Sequence, residues 1–480
     1  MRECLAPTLL SACVFAVVLS ARPTLDSHEV LVAQTAREML ASSDFVHPTF
    51  AGEPRLQKPP LAYWTCALSF TLFGENETSA RLPSALASIL GVALTAIFAR
   101  RAFGSGMGFL AGSVQATSVW TLDFGRMALV DSMLTTLVAA AILVAAWDRW
   151  TPSVNSARRW LLAPMFWALC GLTVLAKGPV GLAMLLPPVI LYRLMRGKHE
   201  GDSPLLWHPS AIVGVALFLL LSLAWPISIL QRYPDAWELW TGQSLGRFQE
   251  HWGPQTRPWW YFFVQTPWML FPWSIPLVAV AFQRPRFDWR EPNRLLIVAW
   301  FATAFLLCTF SAGKRSHYIM PGLPAACVLA ALAVRSCLAA TRSEALRFAS
   351  RLNMSHPRFI ASLAVVETVL LAFIIAPGQS LSGFRAMAER NRERLQSSEV
   401  VQVGSRQRAT IFPVDRPLRW LPTPPEANEE PLLVIASEKK IPELMATGRA
   451  KVVDRIGEQR SRAERSASEA FALVELAPIR

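Results

Sequence analysis

Charged side chains are scarce in this sequence: only 17% of its 480 residues are Asp, Glu, Lys or Arg, where an ordinary soluble domain has about a quarter. That scarcity excludes a plain water-soluble globule. Cysteine is also sparse. The seven present (Cys4, Cys13, Cys66, Cys170, Cys308, Cys327 and Cys337) lie in or beside apolar stretches and never in a Cys-x-x-Cys spacing. They read as small apolar fillers, which excludes a disulfide framework and a cysteine-ligated metal site. There is no internal repeat and no low-complexity segment.

What is abundant is apolar. Hydrophobic residues make up 52% of the chain, and mean hydropathy is +0.32. Apolar runs of roughly 16 to 22 residues recur along most of the length, close to what a bilayer crossing needs. The fold class is therefore an all-α polytopic membrane protein. Spans are expected near 5–20, 83–99, 108–122, 131–147, 160–176, 178–194, 211–230, 260–281, 295–310, 318–335 and 358–377, eleven in all. Leu10–Cys13 imitates a lipoprotein cleavage box, but hydrophobicity continues through "VFAVVLSA", so a retained first span is expected.

The formal charge of +13 points to membrane topology and not to nucleic acid, because the cations sit between apolar runs. Arg100 and Arg101, Arg149 with Arg158 and Arg159, Arg193 with Arg196 and Lys198, the arginines from 284 to 294, and those from 335 to 351 fall on alternate loops. The positive-inside rule puts all of them in the cytoplasm. The N-terminus is then cytoplasmic and the C-terminus outside. The outer side receives the loop 21–82, the bend at Arg126, the loop Gln231–Trp259, "SAGKRSH" and the tail after 377. Within the first loop, "HEVLVAQTAREML" and "PPLAYWTCALSFTLF" read as helices lying along the outer surface. Residues 1–377 thus form a membrane domain. The strand-like runs "VVQVG", "ATIFPV", "PLLVIAS", "AKVVDRI" and "AFALVEL" in 378–480 suggest a small extracytoplasmic α/β domain.

Ions at or inside a membrane are costly, so each is a functional suspect. Asp26, His28 and Glu29 follow the first span, and either cap the next helix or carry chemistry. Arg126 and Asp131 bracket a turn, as a structural ion pair or as site residues, whereas Lys177 reads as the marker of an outer turn. Lys58 stands apart. Pro59 and Pro60 fix the backbone next to it, which a merely snorkelling lysine would not need. Lys314, Arg315 and Tyr318 ahead of Pro321 and Pro324 repeat the device, and Arg247, His251 and Arg257 sit by an aromatic girdle. Cations on one face can bind a lipid-linked phosphate, and a carboxylate among them can act as general base.

Six segments in order, "TAREMLASSDFVHPTFAGEPRLQKPPLAYW", "LFGENETSARLPSAL", "GRMALVDSMLTT", "LAKGPVG", "GRFQEHWGPQTRPWWYF" and "GKRSHYIMPGLPA", resemble the GT-C-type glycosyltransferases that use polyprenyl-phosphate sugars. These are the superfamily of protein O-mannosyltransferases and of the transferase that adds aminoarabinose to lipid A. The resemblance implies a bacterial inner-membrane enzyme, a polyprenyl-phosphate sugar donor, a lipid, glycan or protein acceptor, and inversion at the anomeric carbon. It implies donor-phosphate contacts from Lys58, Arg247, Lys314, Arg315 and Tyr318, a second acidic residue at Asp131, and supporting roles for Arg126 and His251. The family's Asp-Glu pair aligns with His28 and Glu29, so the expected base is Glu29 or, two residues before His28, Asp26, with His28 as a possible proton shuttle. Gln57 and Ser244 stand where the aminoarabinose transferase has metal-associated residues, so no metal or other cofactor is expected. A lipid-linked-sugar transporter or an inactive scaffold would share the anionic ligand. A transporter, however, should show internal duplication and mid-membrane ions.

Overall fold

In the computed structural model the apolar runs up to residue 340 are helical, which satisfies every backbone polar group within the segment, as lipid requires. The structure describes residues 2–19, 25–26, 28–150, 156–196, 208–249, 257–282, 291–340, 387–403, 419–421, 431–437, 440–455 and 471–478. They fall into two compact units. One comprises Met1–Leu19, Leu56–Thr65 and Arg81–Ala376, and the other Ser20–Arg55, Cys66–Ala80 and Pro377–Arg480.

The helices of the first unit are α1 (Arg2–Val18), the start of α3 (Leu61–Phe73), most of α4 (Glu77–Phe103), α5 (Met107–Thr117), α6 (Val119–Phe124), α7 (Asp131–Trp150), α8 (Ser156–Lys177), α9 (Val180–Arg196), α10 (Ala211–Arg232), α11 (Ala236–Gln249), α12 (Tyr261–Met269), α13 (Ser274–Phe282), α14 (Pro292–Phe310) and α15 (Leu323–Ala340), the last preceded by a 3-10 turn at Ser316–Gly322. Among the described residues, five helices are long and apolar enough to cross a membrane, or six if α12 and α13 make one broken span. The segments α7 and α9 are apolar but shorter. Two of the spans expected from the sequence are interrupted. The 108–122 run breaks at Ser118, whose extended backbone and Oγ, accepting from the Thr121 N–H, start α6 afresh. The 260–281 run bends by 116° between α12 and α13. The expected span at 358–377 lies outside the described residues.

One apolar core, from Val14 on α1 to Ala331 on α15, runs through this bundle. Helices α8 and α10 approach closely because Gly214 has no side chain, and a Cβ there would sit 2.8 Å from Pro164 Cα. Indole donors tie the elements together: Trp273 Nε1 to Thr117 Oγ1 at 2.8 Å, Trp300 Nε1 to the Pro321 carbonyl at 2.7 Å. Buried Cys170, Cys308 and Cys327 fill this core.

The second unit holds α2 (Glu29–Ser42), the hairpin β1 (Thr49–Phe50) and β2 (Glu53–Pro54), and a sheet of β3 (Glu399–Val403), β4 (Arg419–Leu421), β5 (Leu432–Ser437), β6 (Ala450–Arg455) and β7 (Phe471–Leu476). The strand order is β4-β3-β5-β7-β6. β3 is parallel to β4 and β5, while β7 is antiparallel to β5 and β6. Val401, Val403, Val434, Ala436 and Val474 pack with Leu444 of a short helix at Ile441–Met445. The expected strand "ATIFPV" lies outside the described residues, and β4 had no sequence signal strong enough to name.

The "TAREML" residues are structural here. Glu38 on α2 accepts from Thr49 Oγ1 at 2.6 Å and from the Ala51 N–H at 2.7 Å. It thereby organises a two-residue turn in which Ala51 and Gly52 both have positive φ, as a tight hairpin demands. Arg37 pairs with Glu75 at 2.7 Å, ahead of a reciprocal cap in which Ser79 N–H donates to Asn76 Oδ1 and Asn76 N–H to Ser79 Oγ.

Candidate active site

The KPP segment joins β2 to α3, with no helix before the prolines. Leu56 is buried, and its carbonyl accepts the Trp240 indole N–H at 2.6 Å, which anchors the chain just before Lys58. Pro59 and Pro60 lead into α3, and the Pro60 carbonyl takes the helix's first bond from the Trp64 N–H at 2.9 Å. Lys58 is half-buried on this fixed stem. Beside it, Gln57 Oε1 is buried with no hydrogen-bond partner among the described residues.

Asp131 opens α7 at 4% exposure. Its Oδ1 is ion-paired with Lys177 Nζ at the end of α8. Its Oδ2 faces His317 Nε2 at 3.9 Å, and Lys58 acts on the same carboxylate through space. The Lys177 ammonium also lies over the Tyr318 ring at 4.8 Å, a cation–π contact that adds about 0.5–2 kcal/mol. His317 stands edge-on to Tyr318, with ring centroids 5.0 Å apart, and 5.4 Å from the Phe124 ring. The first unit therefore brings together Lys58, Asp131, Lys177, His317 and Tyr318.

Arg126 does not pair with Asp131 as the structural alternative supposed. It is 2% exposed and binds Asp123 at 3.4 Å, one helical turn back. The turn that carries it is held by Ser84, whose Oγ donates to the Leu129 carbonyl at 2.7 Å. Gly125 makes room for this turn, since a Cβ there would lie 2.3 Å from Phe15 Cζ and 2.5 Å from the Thr121 carbonyl. Gly125→Ala is accordingly expected to destabilise the bundle by about 1–3 kcal/mol, measured as a lower midpoint of thermal unfolding in detergent. Near the start of α7, Ser88, Gln115, Ser132, Thr135 and Thr136, with Met320 and Leu323, line a small cavity.

Lys314 is 6% exposed, and its ammonium donates to the carbonyls of Ser311 and Arg257, the latter at 3.2 Å. Burial pulls it below the ordinary lysine range, against a weaker upward pull from Cys308. Its first role is to hold the loop that delivers Arg315, His317 and Tyr318. Arg247 lies on α11, with its side chain outside the described set, and His251 lies outside the described residues.

Glu29, Asp26 and His28 belong to the second unit. The Asp26 N–H donates to Glu29 Oε2 at 2.8 Å, the His28 N–H to Asp26 Oδ1 at 2.9 Å, and the Val30 N–H to the Asp26 carbonyl at 3.0 Å. The Glu29 carboxylate thus reaches back to cap the chain ahead of α2, while the N-cap residue His28 makes no side-chain cap bond. Glu29 is fully buried, Asp26 exposed and His28 half-buried. Among the described residues, no group of three or more His, Cys, Asp or Glu is placed to hold a metal ion.

Sequence reasoning missed Lys177 and His317. A lysine ending an apolar helix looks like any interfacial charge, and only its pairing with Asp131 distinguishes it. His317 sat between two candidates, Arg315 and Tyr318, with nothing in its own spacing to single it out.

Known proteins resemble this chain in sequence and in fold. Residues 57–225 match the family described as dolichyl-phosphate-mannose-protein mannosyltransferase. An undecaprenyl phosphate-alpha-4-amino-4-deoxy-L-arabinose arabinosyl transferase of Erwinia tasmaniensis is 28% identical over 378 residues, 76% of this chain and 65% of that protein. One from Pseudomonas fluorescens is 29% identical over 337 residues, 68% of this chain and 55% of that protein. The crystal structure of ArnT from Cupriavidus metallidurans bound to undecaprenyl phosphate has the same fold, with a TM-score of 0.76 at 19% identity over 98% of this chain and 97% of that one. The archaeal oligosaccharyltransferase AglB from Archaeoglobus fulgidus follows at 0.54 and 11% identity, over 92% of this chain and 69% of that one. The chain spans less than two thirds of the length of these two arabinosyl transferase relatives.

Proposed function

We propose that this chain, which resembles the GT-C-type polyprenyl-phosphate-sugar glycosyltransferases in its family match, relatives and fold, transfers a sugar from a polyprenyl-phosphate donor to an acceptor at the outer face of a bacterial inner membrane. The observation that carries this proposal is the buried Asp131–Lys177 pair, with Tyr318 against the ammonium. A soluble metabolite would not need cations fixed at the ends of apolar helices. A lipid phosphate, whose depth is set by its tail, does.

In the reaction, an acceptor oxygen attacks the anomeric carbon and the bond from that carbon to the phosphate oxygen breaks. The acceptor proton passes to a carboxylate, and the sugar inverts. Lys58, Arg247 and Arg315 would take the leaving phosphate, with Tyr318 beside it. Lys314 adds fixed charge and holds the loop. Because Lys58 stands on a proline stem, its charge meets the leaving oxygen without reorganisation. Lys177 is the further cation that the site supplies, oriented by Asp131. Arg126 and His251 support the outer loops. Glu29 or Asp26 would be the base, with His28 as shuttle, although their capping bonds must loosen or be shared for that role. This reading uses no metal, since Gln57 and Ser244 occupy the ligand places of the aminoarabinose transferase.

The same proposal takes the chain as eleven spans with a cytoplasmic N-terminus, a membrane transferase domain over 1–377, and an α/β domain outside the membrane over 378–480. The acceptor is a lipid, glycan or protein hydroxyl or phosphate. The relatives act from an undecaprenyl phosphate carrier by name, which makes undecaprenyl-phosphate sugars the first donors to test. Glu29→Gln and Asp26→Asn separate the base. Loss of transfer by roughly a hundredfold or more in one variant alone, the scale of general base catalysis, identifies it. Equal, small losses in both, accompanied by a lower unfolding midpoint, would assign the pair to capping.

A further inference from the structure

The side chains of Asp131, Lys177, His317 and Tyr318 form a closed circuit. Lys177 Nζ meets Asp131 Oδ1, Asp131 Oδ2 faces His317 Nε2 at 3.9 Å, the His317 ring meets the Tyr318 ring at 5.0 Å, and the Tyr318 ring lies 4.8 Å below the Lys177 ammonium. These groups come from three separate elements, the start of α7, the end of α8 and the 3-10 turn before α15. We propose that His317 is a positioning residue of the transferase site: by engaging the second oxygen of Asp131, it fixes the carboxylate plane and so the place of the Lys177 ammonium. This rests on the transferase reading above and goes further, because it assigns His317 a role exerted through Asp131 and Lys177.

A carboxylate held at one oxygen can still turn about χ2, whose wells are broad and two-fold. A lysine has four flexible stem bonds and would follow it. Held at both oxygens, Asp131 cannot turn without breaking a contact. The Lys177 ammonium is then confined between a carboxylate oxygen and the Tyr318 ring. His317 is itself confined, since its ring sits against Phe124 on one side and Tyr318 on the other, and its side chain is 14% exposed. At 3.9 Å the His317–Asp131 contact is longer than a hydrogen bond, and it is an ion pair only when the imidazole is protonated. A ring of similar size without nitrogens removes it while keeping the ring contacts with Phe124 and Tyr318. A fixed charge matters most where charge develops, so the loss should fall on turnover more than on donor binding.

The test uses the full-length protein in lipid nanodiscs, with His317→Phe, which keeps an aromatic ring, and His317→Gln, which restores a polar donor. Two readouts are taken. The first is labelling of Lys177 by an amine-reactive reagent, followed by mass spectrometry with exposed Lys451 as internal reference. The second is transfer from an undecaprenyl-phosphate sugar donor. The expected result is that His317→Phe raises relative Lys177 labelling and lowers kcat roughly tenfold while donor KM stays within about threefold, and that His317→Gln recovers much of both. Unchanged Lys177 labelling in His317→Phe overturns the proposal whatever the activity. So does raised labelling with unaltered kcat, and so does an equal loss in both variants that follows a lowered unfolding midpoint. If the wild type transfers nothing from any donor while labelling still rises in His317→Phe, the transferase reading falls and the fixing of Lys177 by His317 stands.

Discussion

Lys58→Ala and Asp131→Asn are each expected to reduce sugar transfer by a thousandfold or more, equivalent to ~4 kcal/mol of transition-state stabilisation; Asp131→Asn also takes away the ion-pair partner of Lys177 and is expected to lower the unfolding midpoint. The two lose activity for different reasons. Lys58 is a charge on a stem fixed by Leu56, Trp240, Pro59 and Pro60, so removing it takes away a cation without disturbing the backbone. Asp131→Asn keeps the side-chain shape but removes the charge that orients Lys177. Donor-dependent transfer, measured with the unfolding midpoint of each variant, separates loss of chemistry from loss of fold. Full activity in both variants would remove the cluster from the mechanism.

Lys177→Met carries the second large effect, and it falls on stability. Asp131 and Lys177 have side chains only 6% and 10% exposed, so deleting the lysine leaves a buried carboxylate without its ion-pair partner. Breaking such a pair costs about 3–5 kcal/mol, whereas replacing both members by neutral groups is far milder. The single variant is therefore expected to unfold at a clearly lower temperature. The double variant Lys177→Met with Asp131→Asn is expected to recover most of that loss while remaining inactive. A double variant no more stable than Lys177→Met alone would mean that the pair does not govern the stability of this corner.

Much of this was legible in the sequence because it rests on local chemistry. Apolar runs specified the bundle, and the proline step specified a fixed Lys58. The period of "HEVLVAQTAREML" specified α2, and alternating runs specified most of the sheet. What escaped depends on contacts between distant segments. Lys177 lies 46 residues from Asp131, and no spacing rule links them. The pairing of Arg126 with Asp123 in place of Asp131 is a choice between two carboxylates at similar separation, decided by how the 125–130 turn folds over Ser84. The break at Ser118 was hidden because a capping serine inside an apolar run does not change its hydropathy. The role of Glu38 was hidden because its partners, Thr49 and Ala51, lie across a hairpin turn at Ala51–Gly52 that no hydrophobic pattern announces.

The central claim is that the cluster around Asp131 handles the phosphate of a lipid-linked sugar. The most direct measurement is sugar release and transfer from undecaprenyl-phosphate donors by the purified full-length protein in lipid, comparing wild type with Lys58→Ala. The account predicts transfer by the wild type and loss of it in Lys58→Ala, with both proteins equally folded. Equal transfer by the two, or tight donor binding with no transfer by the wild type, would contradict it.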